Sequence, residues 1–201
     1  MKKILNLISI IVLLFFASCK KDDAIFKDNT PVQNFPSIVM GNQSAASFNC
    51  FLTFDSCKVK PLAQAFTDQS IVDLIFLHNN PDNLAMLVSP ASIASAVTIP
   101  PDIYTFATMG VTHWTNKNSI QIGVTDISLG DFNNIATNGD LHQAYENDPH
   151  VTIGWEIDIQ ANKVYKFTSN RTGKRGLIKV HSITGNYNTP GQINIDIKLI
   201  N

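Results

Sequence analysis

The stretch Val151-Thr152-Ile153-Gly154-Trp155-Glu156-Ile157-Asp158-Ile159-Gln160 alternates apolar with polar residues, so its five apolar side chains fall on one face of an extended chain. That period describes a half-buried strand. After Ala161-Asn162, Tyr165 and Phe167 alternate with Lys166 and Thr168, and Asn170 to Lys174 supplies the Asn, Thr and Gly of a turn. Gly176 to Ile183 reads as the returning strand. Gly185 to Gly191, rich in Asn, Pro and Gly, turns the chain again, and Ile193, Ile195, Ile197 and Leu199 then alternate with Asn194, Asp196 and Lys198. These stretches predict a four-stranded antiparallel meander.

Toward the N-terminus the strands continue, with short helices between them. Ser47 to Phe54 is a strand candidate. Pro61 opens a helical pattern with Leu62, Ala65 and Phe66 on one face. Ile71 to Leu77 is nearly all apolar, as a central strand covered on both faces requires, and Leu84 to Val88 pairs with it across an Asn-Asn-Pro-Asp-Asn turn. Asn138 is placed to cap a second helix carrying Leu141, Ala144 and Tyr145 at helical spacing. The fold class expected is all-β, an antiparallel β-sandwich or open barrel with a few short helices.

The chain begins with Lys2 and Lys3, an apolar run from Ile4 to Phe16 broken by Asn6 and Ser9, and small residues Ala17 and Ser18 before Cys19. Residues 1–18 have the three regions of a signal peptide. As a helix the apolar run reaches roughly 20 Å, short of a hydrocarbon core of about 30 Å. Phe16-Ala17-Ser18-Cys19 resembles the lipobox of bacterial lipoproteins, with Phe16 where that family usually has Leu. The resemblance implies cleavage before Cys19 and a lipid anchor on it. Each buried methylene contributes about 0.8 kcal/mol, so the chains of a diacylglyceryl cysteine give lasting attachment where one chain does not. Lys20, Lys21, Asp22 and Asp23 resemble the charged export tag of Bacteroidota-type surface lipoproteins, which implies the outer membrane and the cell surface, with the periplasmic leaflet as the alternative. On physical grounds alone they make a polar tether. Residues 19–36 read as the lipidated cysteine and a flexible spacer, and 37–201 as a single β-rich domain.

Charge narrows the partners. The chain has 15 Lys+Arg against 16 Asp+Glu, and without Lys2 and Lys3 the balance is 13 against 16. No basic cluster is present to neutralise phosphates, so a nucleic-acid partner is not expected. Cys50 and Cys57 would sit in an oxidising compartment where a disulfide can form. If Phe51 to Phe54 is a strand and Asp55-Ser56 a turn, the two α-carbons lie farther apart than the roughly 5.5 Å a disulfide prefers, and two buried thiols are the alternative.

The run Lys163-Val164-Tyr165-Lys166-Phe167-Thr168, followed by Thr172-Gly173-Lys174 and Gly176-Leu177-Ile178-Lys179-Val180, resembles the closing hairpin of uncharacterised Bacteroidota surface lipoproteins. It is distantly similar to the C-terminal hairpins of HmuY-like haem-binding lipoproteins. The likeness covers strands and a Gly-Lys turn and maps no ligand residues. It implies an exported all-β domain, and haem as a weakly indicated ligand; no other cofactor is implied.

Five histidines, His78, His113, His142, His150 and His181, are the candidate metal or haem ligands, yet none forms a His-x-His or His-Glu-x-x-His spacing. His142 and His150 flank Glu146 and Asp148, which makes this the best cluster. Glu156 and Asp158, two apart on a strand, project to one face roughly 7 Å apart. Carboxylates about 5 to 9 Å apart can hydrolyse glycosides, but that chemistry needs a cleft around the sugar. Asp131, Asn133, Asn138 and Asp140 offer oxygens without the ligand spacing of an EF-hand. Neither a Gly-x-Ser-x-Gly elbow nor a phosphate loop occurs. Trp155 lies on the apolar face of its strand and is expected in the core, whereas Trp114, between His113 and Thr115, is expected to be exposed for stacking. The candidate ligand-binding residues are therefore Trp114, His113, His142 and His150. The expected function is a tethered, non-enzymatic binding or adhesion module for glycan or envelope protein. Haem or metal capture is the alternative, and a glycoside hydrolase using Glu156 and Asp158 the third.

Overall fold

The computed structural model describes residues 27–45, 49–80, 82–94, 108–151 and 154–200, so Cys19 and the charged residues after it lie outside the described part. In chain order the strands are β1 (Gln33–Gly41), β2 (Phe51–Thr53), β3 (Lys58–Lys60), β4 (Leu74–His78), β5 (Ala85–Val88), β6 (Ile120–Val124), β7 (Glu156–Asp158), β8 (Val164–Ser169), β9 (Arg175–Ile183) and β10 (Gln192–Leu199). The helices are α1 (Leu62–Thr67), α2 (Leu129–Asn134) and α3 (Asn138–Asn147). Among the described residues the strands form two five-stranded antiparallel sheets, ordered β1-β10-β9-β8-β6 and β3-β2-β4-β5-β7. They do not close into a barrel. The protein is a β-sandwich.

Alternation decides what fills it. Ile193, Ile195, Ile197 and Leu199 of β10, Ile178 and Val180 of β9, and Tyr165 and Phe167 of β8 all point inward to meet Phe54, Leu74, Phe76 and Leu87 from the other sheet. Phe54 stacks on Phe167 across the gap, with ring centroids 4.2 Å apart. Each such side chain, fully buried, contributes about 1.5–3 kcal/mol. All five residues of β4 are buried, as its unbroken apolar run requires. Its outer side is covered by α1 and by the Val111–His113 turn, through Leu62, Ala65, Val111 and Trp114.

The outer side of the first sheet is the less expected one. Lys166, Lys179, Asp196 and Lys198 alternate with the core residues and so should meet water, yet all four are buried, because α2 and α3 fold back over them. The lysines find their partners at the ends of those helices. Lys198 Nζ donates to the carbonyls of Phe132 at 2.7 Å and Ile135 at 2.5 Å, where α2 ends. Lys166 Nζ donates to Asp148 O at 3.1 Å, where α3 ends. Terminal carbonyls lack intrahelical donors, and the negative end of the helix dipole favours a cation there. Lys179 pairs with Asp196 at 2.7 Å. The opposite helix ends are closed by capping boxes, Ser128 with Asp131 and Thr137 with Asp140, so the cap of α3 is Thr137 rather than Asn138.

Two further expectations change. The 151–160 stretch is not the first strand of the C-terminal meander: of its described residues only Glu156–Asp158 form a named strand, and it pairs with β5 in the other sheet. The cause lies at Gly154, whose carbonyl accepts from Ile122 N at 2.9 Å and so ties the chain to β6 just before it crosses between sheets. A Cβ on Gly154 would lie 2.8 Å from the Glu156 carbonyl, so this crossing needs glycine. The folded part also starts earlier than a spacer reaching Pro36 implies. β1 begins at Gln33, and Asp28 O and Thr30 O already accept from Gly139 N and Asn138 N at the start of α3.

Candidate functional site

The sandwich is open on the side where β6 ends one sheet and β7 ends the other. The two edges touch at the Ile122–Gly154 bridge. Beside it lies a groove of about 500 Å³ whose lining includes Gly123, Val124, His150, Val151, Glu156 and Ile157. Val124 is 47% exposed and Val151 67%, high values for apolar side chains that share one concave surface. Gly123 carries no side chain, which lets the groove reach the backbone of β6.

One wall is the Pro149–His150–Val151 segment leaving α3, and it is held by Asp148. The buried Asp148 carboxylate accepts from Asp126 N at 2.8 Å and His150 N at 3.0 Å, and meets Lys166 Nζ at 3.2 Å and His150 Nδ1 at 3.3 Å. Burial alone would raise its pKa, but the hydrogen bonds from Asp126, Lys166 and His150 outweigh that and hold it below the usual carboxylate value. Asp148 is thus a charged hub that orients His150. Behind this segment a second cavity of about 380 Å³ is lined by Tyr145, Glu146, Asp148, His150 and Lys166 among others. Glu146 pairs with Arg175 and lies 3.9 Å from His142 Nδ1.

Of the expected cluster, Glu146, Asp148 and His150 line one cavity and His142 approaches Glu146, while the two carboxylates are taken by Arg175 and Lys166. Among the described residues, no three His, Cys, Asp or Glu side chains converge as a metal-holding group. His113 and Trp114 belong elsewhere. His113 is exposed on the 3₁₀ turn outside the second sheet, while Trp114 is buried, tilted against Phe51 with centroids 5.4 Å apart and donating Nε1–H to Met109 O at 3.0 Å. Trp155, expected in the core, is 49% exposed instead, because the crossing at Gly154 takes it off the inner face. His78 is buried in β4 beside Asn42, and His181 Nε2 meets Asp196 Oδ1 at 2.9 Å. Asp131 and Asp140 serve the capping boxes, and Asn133 Oδ1 accepts from Lys179 at 3.0 Å, so these oxygens hold helices in place. Glu156 borders the groove, while Asp158, exposed on the same short strand, is not among the residues that line it. Cys50 and Cys57 are both buried and not joined in a disulfide.

The fold places the chain among antiparallel two-sheet sandwiches whose outer faces carry short helices. It is similar to the crystal structure of a DUF4466 family protein from Parabacteroides merdae ATCC 43184, with a TM-score of 0.49 and 9% sequence identity, over 84% of this chain and 53% of that one. The chain spans about half the length of that protein. No protein-family model and no curated protein sequence matches it.

Proposed function

We propose that this chain is a membrane-tethered, extracytoplasmic binding module that performs no chemistry of its own and meets a glycan or protein of the envelope at the groove between β6 and β7. The observation that carries this reading is the pair of exposed valines, Val124 and Val151, on one concave surface. Apolar side chains left in water on a concave surface offer area that a ligand can bury. His150, held in place through Asp148, and Glu156 at the border add polar groups that can fix orientation. The anchor on Cys19 would hold the module at the outer membrane, on the cell surface.

Full-length chain in detergent, immobilised through a C-terminal tag, is offered a glycan array and solubilised envelope proteins. Wild type retains a ligand and the Val124→Asp, Val151→Asp double variant does not. Equal retention by both would remove the groove from the reading, and no retention by either would remove the binding module. Metabolic labelling with radioactive palmitate tests the anchor: wild type is labelled, and label persisting on Cys19→Ser would refute lipidation there.

A further inference from the structure

Antiparallel register fixes which peptide groups face the open side of the sandwich. Asn170 N–H donates to Ser119 O at 3.1 Å, so residues 119, 121 and 123 make the ladder with β8, while Ile120, Ile122 and Val124 turn their N–H and C=O away from it. Ile122 uses its outward N–H on Gly154 O. Val124, two residues on, directs its own peptide groups at the groove. On β7, Ser89 N–H donates to Trp155 O and Ile159 N–H to Ala85 O, both at 2.8 Å. Residues 155, 157 and 159 therefore bond to β5, and Glu156 and Asp158 present their N–H and C=O outward. Two strand edges thus flank one groove, each with outward main-chain donors and acceptors.

Charge at this place has one sign. No lysine or arginine is among the described residues lining the groove. Glu156 borders it, Asp158 stands exposed two residues along, and Asp126, 77% exposed at its side chain, lies 3.9 Å from His150. The nearby Lys166 is buried and taken by Asp148.

We propose that the groove accepts an extended peptide segment of a partner protein as an added strand between β6 and β7. Apolar residues at alternate positions of that segment pack on Val124, Val151 and Ile157, and an intervening lysine or arginine faces Glu156. Main-chain bonds supply affinity in such strand addition and the alternate side chains supply selectivity. The inference rests on the binding-module reading and names the chemistry of its partner. An unpaired edge is otherwise a site of unwanted pairing, and a charged residue such as Glu156 on it rejects like-charged strands.

The test titrates full-length chain in detergent with three fluorescent synthetic heptapeptides, read by anisotropy: alternating Val and Lys, alternating Val and Glu, and the Val/Lys peptide with methylated backbone amides. The Val/Lys peptide binds, and the other two do not. Glu156→Lys weakens it by about tenfold or more, as reversal of a close charge does. Val124→Pro also weakens it, since it removes an outward donor while sparing the β6–β8 ladder; thermal melting checks that the variant is folded, and the methylated peptide makes the same test without touching the fold. Equal binding of all three peptides, or of none, overturns strand addition. Dimerisation in light scattering that Val124→Pro abolishes would name a second copy as occupant and overturn it too. If the peptides fail while the valine-dependent envelope ligand persists, strand addition falls and the binding module stands.

Discussion

Arg171 grips Asp73 from the opposite sheet, with Nη2 2.9 Å from Oδ2 and Nε 3.2 Å from Oδ1. Asp73 leads into β4 and is wholly buried, while Arg171 sits in the turn between β8 and β9. Ser169 Oγ at 3.1 Å and Phe54 N at 2.8 Å complete the carboxylate's partners, so both sheets converge on one charge.

Removing one member of a buried ion pair leaves the other charge uncompensated, at a cost of about 3–5 kcal/mol. Arg171→Met should show that loss in urea denaturation. The Asp73→Asn, Arg171→Met double variant should recover part of it, because the stranded charge is gone. A loss under about 1 kcal/mol for Arg171→Met would place the pair with exposed ion pairs and deny it the role of joining the sheets.

Acid should weaken the helix-covered face first. Burial raises the pKa of Asp148 and Asp196, but hydrogen bonds from Asp126 and Lys166 on the first, and from Lys179 and Ser37 on the second, bring both below the ordinary 3.8. Unfolding returns them to that value, so the unfolded chain binds more protons in acid. The stability they contribute is complete above 3.8 and is lost as pH falls through their lower folded values. Stability measured against pH should decline in this window, and Asp148→Asn or Asp196→Asn should flatten the decline. Unchanged slopes would assign the acid sensitivity to other carboxylates.

Cys50 and Cys57 should behave as inert thiols. Burial raises both thiol pKa values, that of Cys57 to about 12, which leaves almost no thiolate at neutral pH. In a Cys19→Ser chain without reductant, Ellman's reagent should react slowly with the native protein and with both cysteines once guanidinium unfolds it. Failure to label the unfolded chain would mean a disulfide after all.

How far the sequence could be read follows from what local periodicity records. It records which side chains share a face, so Ile193, Ile195, Ile197 and Leu199 are inside as the alternation requires, and the unbroken apolar run of β4 is central. It does not record what covers the other face. Lys166 and Lys198 alternate as solvated residues would and are nonetheless buried, because α2 and α3 return from earlier in the chain. The exchange of roles between Trp114 and Trp155 has a similar origin: the Gly154 bond to Ile122 moves Trp155 off the core. The proximity of His142, Glu146, Asp148 and His150 was legible because they lie on α3 and its exit. The groove was not, since its walls come from strands that meet only in three dimensions.

Lys198 offers the sharpest test of the covered face. Its ammonium donates to Phe132 O and Ile135 O and lies 4.9 Å from the Phe132 ring centroid, while burial pushes its pKa below the usual lysine value. The lysine remains where it is costly to bury because α2, only six residues long, has carbonyls at its end that need a donor. Lys198→Met keeps most of the apolar stem and removes the donors. A hydrogen bond to a charged group contributes about 1.5–3 kcal/mol, so the loss should be about 3 kcal/mol, concentrated where α2 docks. Hydrogen exchange at Phe132 and Ile135, whose amides bond to Ser128 O and Phe132 O, should quicken well before exchange within β9 and β10. If those amides exchange at the wild-type rate in a folded Lys198→Met chain, the hydrophobic contacts of Phe132 and Ile135 hold α2 without the lysine, and the buried cation is a tolerated cost rather than the clasp of the helix.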